Sequence, residues 1–178
     1  DNAEFSRFMG APTDDINELL VKKSKDLEND NDRYFSFLGG RMVRKFEADF
    51  SSEFSIPYSI SVNSATSGLA TAIGAIGIEP EDEIITTCMS FNATAVSILM
   101  FNAIPVFADI SPETYCLSPD SIREKITDRT KAIIVVDLFG HPFEADAIMS
   151  IAKKFDLKVI EDAAQAYGAK YKGHFAGT

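Results

Sequence analysis

The segment Val159 to Ala169, VIEDAAQAYGA, ends an apolar run in two consecutive carboxylates, Glu161 and Asp162, and follows them with small residues and Gln165. A parallel strand stays apolar until its carboxyl end, which is where open α/β sheets place their ligands. A carboxylate held there can fix a cationic ring nitrogen by a charge-assisted hydrogen bond. Asp is also a favoured N-cap, so on local grounds Asp162 either holds a ligand or caps a helix in the Ala-rich stretch behind it.

Two further clusters could do chemistry. Asn63-Ser64-Ala65-Thr66-Ser67-Gly68 leaves an apolar run and opens a helical pattern. Small residues at such a turn let a ligand approach the backbone, and the free N–H groups of a helix start suit a phosphate. The cluster lacks the Gly-Lys-Ser/Thr ending of a P-loop and the spacing of the dinucleotide fingerprint, and taken alone it also reads as a simple cap. Ser90-Phe91-Asn92-Ala93-Thr94 puts an aromatic at a strand end, where it can stack on a ligand ring. With 14 Phe in the chain, an isolated Phe91 reads as core. His141, between Gly140 and Pro142, and His174, after Gly173, have no carboxylate, Cys or second His at a catalytic or metal-ligand spacing. Cys88 and Cys116 read as two reduced core thiols.

The elements that must position these groups alternate between strand and helix patterns, the signature of βαβ units. Strands are predicted at Tyr58 to Val62, Glu83 to Thr87, Pro105 to Ala108, Ala132 to Leu138 and Lys158 to Glu161. Helices are predicted near Asp15 to Leu27, Met42 to Phe54, Thr66 to Ile76, Asn92 to Asn102, Pro119 to Ile126 and Ala145 to Phe155. Met42, Val43, Phe46 and Phe50 recur at the 3.6-residue period. Ser118-Pro119-Asp120 combines an N-cap hydroxyl, a proline at the first helical position and an acid at the positive end of the helix dipole. Residues 1–39 form a polar, helical appendage with a loop at Glu28 to Asp32.

The 178 residues carry a formal charge of −10 and a 46% hydrophobic fraction, values ordinary for a soluble domain. Such acidity argues against a general nucleic-acid or anionic-membrane binder, which needs clustered Lys and Arg. No apolar run approaches the roughly 20 residues that span a bilayer, and the first residues show no secretion-signal pattern, so a cytoplasmic location is expected.

Taken together in one order, these segments resemble the DegT/DnrJ/EryC1/StrS family of sugar aminotransferases, of the aspartate-aminotransferase fold group that uses pyridoxal phosphate. The resemblance runs from about Gly40 to Thr178. It is carried by Gly40 to Glu47, NSATSGL at 63–69, GIEPEDEII at 77–85, SFNAT at 90–94, IPVFADI at 104–110, TKAIIVVDLFG at 130–140 and VIEDAAQAYGAKYKG at 159–173. It implies an α/β fold of three αβα layers around a mainly parallel sheet, with residues 40–178 the N-terminal part of the cofactor-binding large domain. It also implies that Asp162 pairs with the protonated pyridine nitrogen, that Gln165 bonds the ring hydroxyl, that Phe91 covers a ring face and that Thr66 and Ser67 bind the phosphate. Many family members carry His where Tyr167 and Asp137 stand, and Gly where Ala65 stands.

The family's Schiff-base lysine is expected beyond residue 178, so none of the chain's own lysines is assigned that part. The resemblance implies amino transfer, with glutamate as donor, to a keto group of a nucleotide-linked sugar for polysaccharide or antibiotic sugars. A sugar dehydratase of the same family and a non-catalytic pyridoxal-phosphate-binding regulatory domain are the alternatives. A homodimer is implied, with Arg41, Arg44 and Lys45 available to an anionic nucleotide or simply solvated. In the family's sheet, later strands separate the one matching Tyr58 to Val62 from the one matching Lys158 to Glu161. The other four strands are therefore expected to stay contiguous, with Tyr58 to Val62 lacking an inner parallel neighbour.

Overall fold

The computed structural model of the chain describes residues 40–178. The helix expected near Asp15 to Leu27, the loop Glu28 to Asp32 and the appendage 1–39 lie outside the described residues. The chain divides into two compact units, residues 1–49 and 50–178, with the boundary inside helix α1, Arg41–Phe54. Within the first unit, Lys45 pairs with Asp49 one turn on, an exposed i,i+4 pair of the kind that adds a few tenths of a kcal/mol to a helix. Within the second, Phe50 packs on Phe54, whose ring also meets Tyr167 and Phe175 edge-on at centroid distances of 5.5 and 4.9 Å.

The second unit is built on four parallel strands: β1 (Glu83–Thr87), β2 (Ile104–Ala108), β3 (Thr130–Val136) and β4 (Lys158–Asp162). Their order is β2-β1-β3-β4, so the four strands expected to be contiguous are so. Successive side chains of a strand face opposite sides, and here both sides are apolar. Ile85, Ile133 and Val135 enter a core with Ile122 of α4 (Pro119–Lys125) and Ile148 and Ile151 of α5 (Ala145–Phe155). Ile84, Ala132, Ile134 and Ile160 enter the other, with Leu69 and Ile73 of α2 (Ala65–Ala75) and Ile98 of α3 (Ala93–Leu99). This is the expected αβα sandwich.

The direction of α2 decides where its first turn lies. Ile76 and Gly77, just past its end, line the same shallow cleft as Lys131 and Lys158, which lie at the starts of β3 and β4. Helix α2 therefore runs against the strands and opens at their carboxyl ends. Ser118 caps α4 as expected, accepting from Ser121 N at 3.4 Å, with Pro119 in the first turn and Asp120 beside it. At the opposite end of the sheet, the buried Glu83 carboxylate takes Arg129 Nη2 at 2.6 Å and the Thr127 hydroxyl at 2.5 Å, which satisfies an acid that burial alone would exclude.

Four expectations need correction. Tyr58–Val62 is not a strand: among the described residues no strand forms a ladder with it, and Tyr58 and Ile60 are 86% and 76% exposed. An apolar β-branched run becomes a strand only where a neighbouring strand accepts its backbone. Strand β3 stops at Val136 rather than Leu138, because the Asp137 carbonyl turns to accept Gly140 N. Cys116 is buried, but Cys88, just past β1, is exposed. The Ala-rich stretch after Asp162 forms turns instead of a helix, closed by Ala166 N on Ala163 O and Ala169 N on Ala166 O. Beyond it a small hairpin pairs β5 (Lys170–Tyr171) with β6 (His174–Phe175). Its two loop residues, Lys172 and Gly173, both have positive φ, the conformation a two-residue hairpin turn requires.

Two substitutions separate core from cap. Ile134→Ala removes a fully buried side chain from the α2/α3 core, and about 2–5 kcal/mol of unfolding free energy should be lost. Ser118→Ala should cost about 1 kcal/mol. Denaturant unfolding of both variants checks the ranking, and an Ile134→Ala protein as stable as Ser118→Ala would contradict it.

Candidate functional site

Asp162 is the last residue of β4 and shares a sheet face with Ile160, two residues back, the face covered by α2 and α3. Its Oδ1 accepts from Ala164 N at 3.2 Å, a local turn contact and not a helix cap, so the choice left open by the sequence falls against capping. Phe91 lies between β1 and α3, also at the carboxyl end, and Thr66 and Ser67 form the first turn of α2. The groups singled out from the sequence thus lie at one end of the sheet, with Asp162 and the start of α2 on the same face. Phe91, read alone as core, is 69% exposed, which leaves its ring free to cover a ligand. The loop beneath it is fixed by the 2.8 Å contact between the Ser90 and Thr94 hydroxyls and by Thr94 N on Phe91 O.

The α2 start divides its labour. Ser64 is the N-cap: its Oγ accepts from Ser67 N at 3.2 Å and its carbonyl from Gly68 N. The amides of Ala65 and Thr66 are left without an intrahelical acceptor, as at any helix start. With the Thr66 and Ser67 hydroxyls they make a donor-rich corner suited to an anion. Sequence reasoning found the segment but not which hydroxyl does the capping.

Gln165 sits in the turn after Asp162, and its Oε1 accepts from Phe139 N at 2.8 Å. Fixing the oxygen leaves the amide nitrogen, a donor, as the group Gln165 can offer outward. Phe139 belongs to a short 3-10 turn, Leu138–Gly140, and has φ 57, ψ 20. This left-handed backbone is rare for a bulky residue. Its exposed ring meets Tyr115 edge-on at 6.4 Å.

The acids of this region were only partly legible. Glu161 precedes Asp162 and so points to the other face, towards the α5 core. There it meets Asp137, which is fully buried. Burial first, and then the contact with Asp137, push Glu161 up to about 7, while the Gly177 N–H donated to it works in the opposite direction. Burial likewise raises Asp137, against the Phe143 N–H donated to its Oδ1 at 2.9 Å. Close by, Cys116 donates to His141 O at 3.2 Å, and burial raises its thiol. His141 Nδ1 lies 2.9 Å from Pro142 O. The signal for the acid pair was an Asp closing the apolar run of β3 one residue past the point where the neighbouring strand ends in Glu-Asp.

The carboxyl end of the sheet thus carries an acceptor for a cationic ring atom at Asp162, an oriented amide donor at Gln165, an exposed aromatic ring at Phe91 and a donor-rich helix start at α2. Such a set suits a flat ligand with a basic ring nitrogen, a ring oxygen and an anionic arm. Among the described residues no helix is long and apolar enough to cross a membrane.

The chain is 40% identical over 139 residues to GDP-perosamine synthase of Escherichia coli O157:H7, covering 78% of this chain and 38% of that protein. It is 38% identical over 130 residues to L-glutamine:2-deoxy-scyllo-inosose aminotransferase of Streptomyces fradiae, covering 73% and 31%. Its fold matches the aminotransferase from Psychrobacter cryohalolentis with a TM-score of 0.76 and 39% identity, covering 79% of this chain and 35% of that one. The chain therefore spans well under half the length of these relatives. Residues 23–178 match the model of the DegT/DnrJ/EryC1/StrS aminotransferase family, and the chain belongs to that family.

Proposed function

We propose that the chain is part of a longer pyridoxal-phosphate-dependent aminotransferase that moves an amino group from an amino acid, glutamate in our reading, to the ketone of a nucleotide-linked sugar. Residues 40–178 then form the N-terminal part of its cofactor-binding large domain. The whole protein acts as a cytoplasmic homodimer in making polysaccharide or antibiotic sugars. The observation that supports this reading is Asp162 at the end of β4, followed in the next turn by a Gln165 amide whose oxygen is already held by Phe139 N. Those two groups match a protonated pyridine nitrogen and an adjacent ring oxygen.

In this reading Asp162 holds the ring N–H and Gln165 donates to the ring oxygen. Phe91 covers one ring face, and Thr66, Ser67 and the α2 amides take the phosphate. When bound, the cofactor supplies an electron sink for bonds to the amino-bearing carbon. The chain's own part is to keep the ring nitrogen protonated and the ring and phosphate fixed. The GDP-perosamine synthase likeness supports a nucleotide-linked sugar as acceptor, and the scyllo-inosose aminotransferase likeness supports a cyclic ketone more broadly.

The test is full-length protein assayed with a keto sugar nucleotide and glutamate, alongside cofactor absorbance. Asp162→Asn removes a hydrogen bond to a charged group, worth about 1.5–3 kcal/mol, so cofactor affinity or turnover should fall about ten- to a hundredfold with the fold intact. Phe91→Ala should weaken cofactor retention about two- to tenfold, the loss of roughly 0.5–1.5 kcal/mol of stacking. Wild-type turnover in Asp162→Asn would sink the assignment, and a product that loses water without gaining nitrogen would replace it with the dehydratase reading.

A further inference from the structure

Asp137 ties together more of the candidate site than any ligand-facing residue. Its N–H donates to Asp162 O at 3.1 Å, its carbonyl accepts Gly140 N at 3.2 Å, and its Oδ1 accepts Phe143 N at 2.9 Å. These contacts close the turn that holds Phe139 in the left-handed region and aims Phe139 N at Gln165 Oε1. The remaining oxygen, Oδ2, is buried and no N–H or O–H reaches it. The group that closes on Asp137 is the carboxyl of Glu161. Two ionised carboxylates offer only acceptors, so this contact is a hydrogen bond only while one of them keeps its proton.

We propose that Asp137 and Glu161 are positioning residues that share one proton, and that the shared proton holds the 137–143 turn, hence Phe139 N–H and the Gln165 amide, in place for the ring. The inference rests on the reading of Gln165 as a ring contact. Loss of the proton sets two negative charges against each other in an apolar layer, and the pair must separate or admit water. Separation pulls on Asp137, whose main chain and side chain are the turn's anchors.

The neighbouring charged groups set where this happens. Asp162, one residue beyond Glu161, and the pair's mutual repulsion favour retention of the proton, whereas His141 at the end of the turn favours release. Cys116 faces Asp137 from the segment before α4, and Glu144, at the start of α5, faces Cys116. From the C-terminal hairpin comes the neutral Gly177 N–H. A carboxyl raised from 4.5 to about 7 on folding binds a proton that the unfolded chain has released. Its contribution to stability is therefore complete below about pH 4.5 and disappears as pH rises through about 7.

Full-length protein, Glu161→Gln and Glu161→Leu test this by infrared spectroscopy and amide exchange from about pH 5 to 9. Wild type should show the carbonyl band of a buried protonated carboxyl at the acid end and lose it on passing about pH 7. The protection factor of the Phe139 amide should fall several-fold over the same interval. The carboxamide of Glu161→Gln keeps a donor for the Asp137 carboxylate at every pH, so this variant should lack the band and keep constant protection, a rescue by a near-isostere. Glu161→Leu leaves Asp137 without a donor and should show low protection throughout. Absence of the band from acidic wild-type protein, or wild-type protection that does not change with pH, overturns the proposal. Pyridoxal phosphate affinity, measured separately, should weaken through the same interval in wild type and stay level in Glu161→Gln. If band and protection behave as expected but no variant binds the cofactor at any pH, the turn mechanism stands and the cofactor reading is what fails.

Discussion

A sheet covered by helices on both sides leaves no polar place for a side chain along the middle of a strand, and the candidate site results from that constraint. Along β3 and β4 every second residue belongs to one apolar layer and the rest to the other, from Ala132 to Val135 and from Val159 to Ile160. Polarity can begin only where the strands run out. Both strands run out together, because the ladder pairs Val136 with Asp162 and Asp137 N still reaches Asp162 O. The consecutive acids Glu161 and Asp162 consequently face opposite layers. One faces the layer of α2 and α3, where the proposed function places a ligand, and the other meets Asp137 on the α5 side. Equal chemistry in sequence becomes unequal chemistry in space through one step of strand alternation.

The strained turn at Phe139 is the local cost of that arrangement. A non-glycine residue in the left-handed region costs roughly 1–3 kcal/mol and persists only where its surroundings over-determine it. Here the surroundings are hydrogen bonds more than packing, since the Phe139 ring is 73% exposed. Gly140 N to Asp137 O, His141 N to Leu138 O and Phe143 N to Asp137 Oδ1 fix the chain on both sides of the residue. Gly140 itself has positive φ, and a Cβ there would stand 3.3 Å from Gln165 O. A side chain at that position would press on the stretch that carries the amide. The backbone of the turn and the Gln165 carboxamide thus form one unit, with Asp137 as its root.

Much of this was legible in the sequence, for identifiable reasons. Long apolar runs bounded by turn residues located β1 through β4 within a residue or two, and α5 was read to its last residue because its apolar period and charged flanks agree. The Ser-Pro-Asp start of α4 was readable because capping is a contact between residues three apart. Tyr58 to Val62 failed because a strand is defined by its neighbour, which no local pattern reports. Ala163 to Ala169 failed because helix propensity cannot see a chain already committed to a turn by Asp162 Oδ1 on Ala164 N. The Asp137–Glu161 pair was out of reach for a similar reason. Its members are far apart in the chain and meet only because the register of two parallel strands sets Glu161 level with Val135, two residues before Asp137 on the same face. Phe91 taken alone reads as core because a chain with many Phe must bury most of them, and its 69% exposure goes against that local reading and fits the ring-covering role that the family resemblance implies.

In the proposed reading the start of α2 is where an acidic chain receives an anion. At a formal charge of −10 the chain repels negative ligands at long range, but such fields are largely screened beyond about 8–10 Å at physiological salt. Within that distance only local groups count. The first turn of α2 carries no acid, whereas those of α4 and α5 carry Asp120 and Asp146. Acids at those two helix starts complement the positive end of the dipole, and at α2 that end is left uncompensated. Ser64 caps the helix through Ser67 N without bringing in charge, which a capping Asp would do. A neutral cap, two spare amides and two further hydroxyls therefore keep this corner electropositive on the scale of a hydrogen bond, which is the scale on which Thr66 and Ser67 act in the proposed reading.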